Sequence, residues 1–67
     1  MSKYALAVDI GGTFTDAVLL SSDGEVWTDK TLTTHDDLLE GFFRVAELVL
    51  GKAKIELKHI NIYIRKF

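Results

Sequence analysis

Residues 9–16 read DIGGTFTD, and this stretch decides how the amino-terminal half of the chain folds. A run of alternating large and small residues precedes it at positions 4–10, and a second strand-like run follows at positions 13–20. Two such runs separated by Gly11 and Gly12 predict a β-hairpin, because glycine can adopt the positive φ that tight hairpin turns require. The two glycines are therefore expected at the bend between two antiparallel strands.

The chain beyond this hairpin continues the same alternation. Residues 21–24 end in Asp-Gly and predict a second turn, and residues 25–32 predict a third strand. Residues 60–64 alternate as well and predict a fourth strand. A strand that is reached through a helix from an antiparallel meander is expected to pair in parallel with the first strand. The expected sheet order is therefore 3-2-1-4.

A helix is predicted between the third and fourth strands. Thr34 is a suitable N-cap, with Asp37 three residues later as in a capping box, and Gly51 is a suitable stop. Gly41 inside this helix costs up to ~1 kcal/mol relative to alanine, so a close packing contact is expected there. The apolar positions expected to face the sheet are Leu38, Leu39, Phe42, Phe43, Ala46, Val49 and Leu50. The predicted fold class is α+β or α/β, with the helix on one face of the sheet.

The composition narrows the classes of function. The 67 residues carry 8 Lys and Arg against 10 Asp and Glu, a net charge of −2, and no cysteine. This balance gives no basic surface for nucleic acid or for an anionic membrane. No stretch has the ~18–20 apolar residues of a membrane span and no signal-peptide pattern is found, so a cytoplasmic protein is expected. A chain of this size buries only ~60% of its unfolded surface, so we expect self-association or a missing remainder of a larger protein.

The same bend carries the residues that suggest chemistry. Glycines let backbone N–H groups approach and line an anion, and the Thr13 hydroxyl can add a donor. Asp9, at the end of a strand, can hold a hydrated Mg²⁺, which prefers oxygen ligands. The pattern is neither a Walker loop nor a G-x-G-x-x-G dinucleotide fingerprint. A diglycine hairpin can also form without any ligand, so the phosphate-binding and the purely structural interpretations both stay open at this point.

Three segments carry a resemblance to a known family: residues 8–16 (VDIGGTFTD), 30–34 (KTLTT) and 36–41 (DDLLEG). Together they resemble the amino-terminal segment of the hydantoinase A/5-oxoprolinase family, to which acetone carboxylase subunits belong. More broadly they resemble the actin-like ATPase superfamily, which includes sugar kinases and heat-shock proteins. The resemblance implies a partial ribonuclease H-like/actin-like ATPase domain. It also implies ATP-dependent opening of a cyclic amide such as a hydantoin or 5-oxoproline, with ATP and Mg²⁺ as cofactors.

The resemblance also implies roles for residues of the motif. The cofactor-binding set it implies is Asp9, Gly11, Gly12, Thr13, Thr15 and Asp16. In this set the glycines and Thr13 form the first phosphate loop, and Asp9 supports Mg²⁺. Thr15 and Asp16 either buttress the hairpin or approach the phosphates. No catalytic residue is implied for this chain.

The sequence departs from the family pattern in two ways. His35 stands where the family commonly has proline, and family members continue well past the fourth strand. Residues 1–67 are therefore expected to be a truncated segment that carries the first phosphate loop, is inactive alone and binds nucleotide weakly or not at all. The alternatives are an autonomous small protein that acts by self-association and a fragment of a sugar-kinase-like protein. His35 and His59 lack ligand-spaced partners and are expected in exposed or capping roles rather than at a metal.

Overall fold

Four strands and one helix are found in the computed structural model, which describes residues 3–58 and 60–66. The elements are β1 (Tyr4–Ile10), β2 (Phe14–Ser21), β3 (Val26–Leu32), α1 (Leu38–Ala53) and β4 (Asn61–Lys66). The strands form one sheet in the order β3-β2-β1-β4. β2 is antiparallel to both β1 and β3, and β4 is parallel to β1. The predicted meander, sheet order and parallel fourth strand are confirmed.

The period-two pattern of the strands produces two different faces. On one face Leu6 lies opposite Leu19 of β2 and Ile62 of β4, and α1 packs over β1, β2 and β3. The core between helix and sheet consists of Leu6, Val8, Ile10, Ala17, Leu19, Phe42, Val45, Ala46, Val49 and Leu50. Burial of these apolar side chains is the main stabilising contribution to the fold.

The other face of the sheet, called the open face below, has no helix over it among the residues that the structure describes. The register assigns to it Ala5, Ala7, Asp9, Phe14, Asp16, Val18, Leu20, Val26, Thr28, Lys30, Leu32, Asn61, Tyr63 and Arg65. Several of its apolar side chains are exposed, among them Val26 and Tyr63. The 16 residues of α1, the one helix in the described part of the chain, do not form a membrane-spanning segment.

Both ends of α1 differ from the sequence prediction. Asp37, not Thr34, is the N-cap, and its carboxylate accepts a hydrogen bond from the backbone N–H of Leu39. The helix continues through Gly51 to Ala53, and its C-cap is Lys54, which adopts the left-handed conformation with φ 57°. The prediction of Gly51 as the stop is therefore wrong. The helix gains one further turn because the Lys54 N–H bonds to the carbonyls of the last turn.

The close contact expected at Gly41 is confirmed. The Gly41 N–H donates to Oγ1 of Thr34 at 2.7 Å, and a Cβ at Gly41 would lie 2.9 Å from that oxygen. Thr34 in turn donates its hydroxyl hydrogen to the Asp37 carbonyl at 2.6 Å. The segment before the helix is thus fastened to the first turn, and only glycine leaves room for it.

The buried stripe of α1 lies slightly to one side of the stripe predicted from spacing. Val45 is fully buried, whereas Leu39 and Phe43 are 60% and 51% exposed, so the placement of these two in the core is wrong. Lys52, in the last turn of α1, links the helix to β3. Its ammonium lies 3.1 Å from a carboxylate oxygen of Asp29 and donates to the Thr28 carbonyl at 2.8 Å. Phe43, on the opposite side of the helix, packs edge-on against Phe42.

Candidate functional site

The bend between β1 and β2 consists of Gly11, Gly12 and Thr13. Neither glycine adopts a left-handed conformation, so the positive φ expected for the diglycine is not found. Gly11 is instead required by close approach, because a Cβ there would lie 3.0 Å from the carbonyl oxygen of Phe14. A Cβ at Gly12 would meet nothing within 4 Å. The described residues therefore give a steric reason for the first glycine and none for the second.

The carbonyl oxygens of the bend are all hydrogen-bonded to the segment between β3 and α1. The Thr33 hydroxyl donates to the Gly11 carbonyl at 2.8 Å, and the Thr33 N–H donates to the Thr13 carbonyl at 2.9 Å. His35 Nε2 lies 2.7 Å from the Gly12 carbonyl oxygen. Because a carbonyl can only accept, Nε2 must carry the hydrogen. Three consecutive carbonyls are thereby held on the side of the β3–α1 connection.

The backbone N–H groups of the bend, unlike its carbonyl groups, are not all hydrogen-bonded. Within residues 3–58 and 60–66, the N–H groups of Gly12 and Thr13 have no hydrogen-bond acceptor. Gly12 and Thr13 are both exposed. Outward N–H groups on successive residues are the arrangement that binds anions in proteins. The bend thus offers two backbone donors and one hydroxyl to a ligand.

Thr15 lies on the face of the sheet covered by the helix and is 1% exposed. Its hydroxyl oxygen is 3.0 Å from that of Thr33. Since the single hydroxyl hydrogen of Thr33 is used on the Gly11 carbonyl, Thr15 must be the donor in this pair. This position supports the buttressing role that was one of the two roles expected for Thr15, because the side chain reaches the bend through Thr33.

Asp9 and Asp16 face each other across β1 and β2 on the open face. One carboxylate oxygen of Asp9 is buried and has no hydrogen-bond partner among the described residues. The register places Arg65 of β4 beside Asp9 and Lys30 of β3 beside Asp16. Two carboxylates therefore lie between two cations in one row across the sheet. The ammonium of Lys30 lies over the ring of Phe14, 4.7 Å from the ring centroid.

These carboxylates line a shallow depression of about 510 Å³ on the open face. Its other walls are Ala7, Val8, Val18, Tyr63, Ile64 and Arg65. No group of three or more His, Cys, Asp or Glu residues able to enclose a metal ion occurs in the described part of the chain. Mg²⁺ is commonly held by only one or two carboxylates together with substrate phosphates and water. The unpartnered oxygen of Asp9, with Asp16 opposite, fits that donor set.

Two residues of the site were missed by the sequence interpretation. Thr33 and His35 lie 22 and 23 positions from the carbonyls they contact, so no local spacing connects them to the bend. His35 was expected in an exposed or capping role; it is exposed, and its ring bonds to the bend rather than to the helix. His59, which was assigned the same kind of role, lies outside the described residues.

The fold and this site define a class of domain. It has a mixed sheet of order 3-2-1-4, one crossover helix, and a glycine hairpin whose amides face outward beside a strand-end carboxylate. The family model of the hydantoinase/oxoprolinase N-terminal region matches residues 5–64. The match covers most of the chain, and the chain therefore belongs to this family. No curated protein sequence matches it.

Proposed function

We propose that this chain is the amino-terminal part of an ATP-dependent cyclic-amide hydrolase of the hydantoinase/5-oxoprolinase type, and that its bend binds the phosphates of ATP. The observation that carries the proposal is the orientation of the bend. Its three carbonyls are occupied by donors from Thr33 and His35, and the N–H groups of Gly12 and Thr13 face outward without acceptors in the described chain. The family match favours this assignment over a sugar-kinase-like origin.

The residues of the bend would act as donors to phosphate oxygens. The N–H groups of Gly12 and Thr13 and the Thr13 hydroxyl supply up to three hydrogen bonds to charged acceptors, which are stronger than bonds to neutral ones. Asp9, with Asp16 opposite, would hold Mg²⁺, whose charge offsets the repulsion between these carboxylates and the phosphates. Gly12 has no side chain that would keep the ligand from the main chain. Close approach of the ligand would therefore explain a glycine at this position, where no contact within the fold requires one.

The reaction of the whole enzyme would use ATP to activate a ring. The terminal phosphoryl group would pass from ATP to the amide oxygen with release of ADP. Water would then add to the ring carbon, and cleavage of the carbon–nitrogen bond would open the ring and leave an acyl phosphate. A second water would release phosphate and leave a carboxylate. We assign no catalytic residue to this chain. We propose that residues 1–67 alone bind ATP weakly and are inactive, because one side of a nucleotide cleft cannot exclude water from the reaction. We propose a cytoplasmic location for the enzyme.

The test is a titration of the ¹⁵N-labelled chain with Mg-ATP, followed by backbone NMR. We expect progressive shifts at the amides of Gly12 and Thr13 and a smaller shift at Asp9. The amide of Gly24, at the turn between β2 and β3, provides an internal control because it already donates to the Ser21 carbonyl. A folded chain whose bend amides do not respond at millimolar Mg-ATP would refute phosphate binding. Titrations with Mg²⁺ alone and with triphosphate alone separate the contributions of the carboxylates and of the bend.

A second candidate function is self-association through the open face. The observation that favours it is the exposure of large apolar side chains there: Leu20 is 44%, Val26 57% and Tyr63 62% exposed. Contiguous exposed apolar surface is typical of an interaction site. We infer that a second copy of the chain covers this face, so light scattering should give a dimer mass that Tyr63→Lys reduces to the monomer mass. A monomer mass for the unaltered chain at millimolar concentration would exclude this function.

A further inference from the structure

We propose that Thr33 and His35 form a clamp that sets the direction of the bend amides, with His35 as a positioning residue for the phosphate ligand. The clamp comprises the three hydrogen bonds from these two residues to the carbonyls of Gly11, Gly12 and Thr13. For its ligand this inference rests on the proposed function. The effect of the clamp on the main chain does not depend on that function and can be measured without a ligand.

The planarity of the peptide bond connects the clamp to the amides. The carbonyl of one residue and the N–H of the next belong to the same rigid plane and point in opposite directions. The hydroxyl of Thr33, by holding the Gly11 carbonyl, therefore fixes the direction of the Gly12 N–H. In the same way the ring of His35, by holding the Gly12 carbonyl, fixes the direction of the Thr13 N–H. Each donor of the clamp controls one of the two outward amides.

The bend needs such a restraint because glycine permits alternative backbone conformations at little cost. Rotation of the peptide plane between Gly11 and Gly12, or between Gly12 and Thr13, would replace an outward N–H by a carbonyl oxygen. That oxygen would repel a phosphate. The bonds to Thr33 and His35, at 2.8 Å and 2.7 Å, must break for either rotation to occur. The clamp therefore keeps the bend in the anion-binding arrangement before the ligand arrives.

The clamp is itself anchored to rigid elements of the fold. Thr33 accepts a hydrogen bond from the buried hydroxyl of Thr15 in β2. Thr34, between the two clamp residues, bonds to Gly41 and to Asp37 at the start of α1. A chain of hydrogen bonds in a partly buried site polarises its members and strengthens them. The segment that carries Thr33 and His35 is thus held from both the sheet and the helix, and it can serve as a fixed support.

His35 is the better of the two residues for a test because it is exposed, so its replacement leaves the core intact. His35→Ala removes the donor to the Gly12 carbonyl, and His35→Gln keeps an N–H donor at a similar reach. Thr33→Val removes the hydroxyl and retains the shape of the side chain. Thr28→Val is the matched control, because Thr28 is an exposed threonine of β3 that lies on the open face, away from the bend.

The first measurement uses residual dipolar couplings of backbone N–H vectors in the full chain without ligand. His35→Ala should change the coupling at Thr13, and Thr33→Val should change the coupling at Gly12, while His35→Gln and Thr28→Val leave both near their original values. The second measurement is the affinity for Mg-ATP by NMR titration. His35→Ala should weaken this affinity about fivefold, because the loss of one hydrogen bond leaves the bend less well ordered before the ligand binds. His35→Gln should have most of the original affinity.

The outcomes separate the clamp from the proposed function. Unchanged couplings at Gly12 and Thr13 in His35→Ala and Thr33→Val would overturn the clamp, whatever the chain binds. Changed couplings with unchanged Mg-ATP affinity would overturn the role of His35 in positioning the ligand. If the unaltered chain shows no response to Mg-ATP at its bend, phosphate binding fails, and the couplings alone then confirm or overturn the clamp as a restraint on the main chain.

Discussion

Replacement of Gly41 by alanine should destabilise the protein, although it improves the helix propensity of α1. The improvement contributes about 1 kcal/mol in favour of the folded state. Against it, the new Cβ would lie 2.9 Å from Thr34 Oγ1, a distance that forces the threonine to move. Such overpacking typically costs ~1–3 kcal/mol. Displacing the hydroxyl also breaks its bond from the Gly41 N–H, which adds about 1 kcal/mol. The sum is a net destabilisation of about 2 kcal/mol.

Gly51→Ala provides the matched control for this prediction. Gly51 lies in the same helix, and a Cβ there would meet nothing within 4 Å. This substitution should therefore stabilise the protein by ~0.5–1 kcal/mol. Urea unfolding of the two variants, followed by fluorescence of Trp27, measures both changes. The double variant Gly41→Ala/Thr34→Ala tests the physical cause, because Thr34→Ala removes the oxygen that the new Cβ would contact. Its free energy of unfolding should exceed the value expected from adding the two single effects by at least about 1 kcal/mol. A Gly41→Ala variant that is as stabilised as Gly51→Ala would refute the reasoning.

Three further predictions follow from other parts of the structure. Lys54→Gly should stabilise the protein by ~1 kcal/mol, because Lys54 is in the left-handed conformation that glycine adopts without steric cost. Urea unfolding measures this change, and an unchanged unfolding midpoint would contradict the prediction. The backbone N–H of Lys30, together with the ammonium of Lys52, holds the pKa of Asp29 below its usual range. This lowered pKa stabilises the folded state above the ordinary pKa of aspartate, and the contribution is lost as the pH falls through the lowered value. Lys52→Met should raise the pKa of Asp29 towards its usual value and make the stability less sensitive to acid, as followed by the carboxyl ¹³C shift of Asp29; an unmoved titration would show that Lys52 plays no part. Arg65→Gln should increase the affinity for Mg²⁺ alone, measured by the shifts of Asp9, because Arg65 is the register partner of Asp9 in β4 and loss of a nearby positive charge reduces the repulsion of a cation; an unchanged affinity would mean that Arg65 does not compete with the metal.

The strand order was predictable because each strand alternates and the turns carry glycine. The alternation in β1 assigns Leu6 and Val8 to one face, and the diglycine at residues 11–12 predicts that the chain reverses there. The parallel pairing of β4 with β1 follows from the intervening helix, since a helical crossover returns the chain in the direction of the first strand. These features depend on local pattern and on general rules of chain connection, which a single sequence contains.

The details that could not be predicted depend on tertiary contacts. Thr34 and Asp37 are both good N-cap residues, and local preference cannot choose between them; the choice falls on Asp37 because the Thr34 hydroxyl is engaged by Gly41. The left-handed Lys54 has no sequence signal, since lysine rarely adopts that conformation.

The candidate site, like the fold, was predictable from the sequence only in part. The bend and its glycines are recognisable from the motif, and their place at the end of β1 was predicted. The support that Thr33 and His35 give to the bend is not recognisable, because it arises only when the connection between β3 and α1 folds against residues more than 20 positions earlier in the chain. The separate roles of the two glycines also emerge only from the structure, where Gly11 is confined by Phe14 and Gly12 is unobstructed.

The Gly12→Ala substitution tests the central claim most directly, because it separates the ligand from the fold. A Cβ at this position meets nothing within 4 Å, and the backbone is not left-handed, so the free energy of unfolding should stay within ~0.5 kcal/mol of the original value or rise slightly. The affinity for Mg-ATP, measured by NMR titration, should fall at least about tenfold, since the methyl group keeps phosphate away from the Gly12 and Thr13 amides. Equal affinities for the original chain and the stable variant would contradict the account, and so would a folded original chain that binds no Mg-ATP.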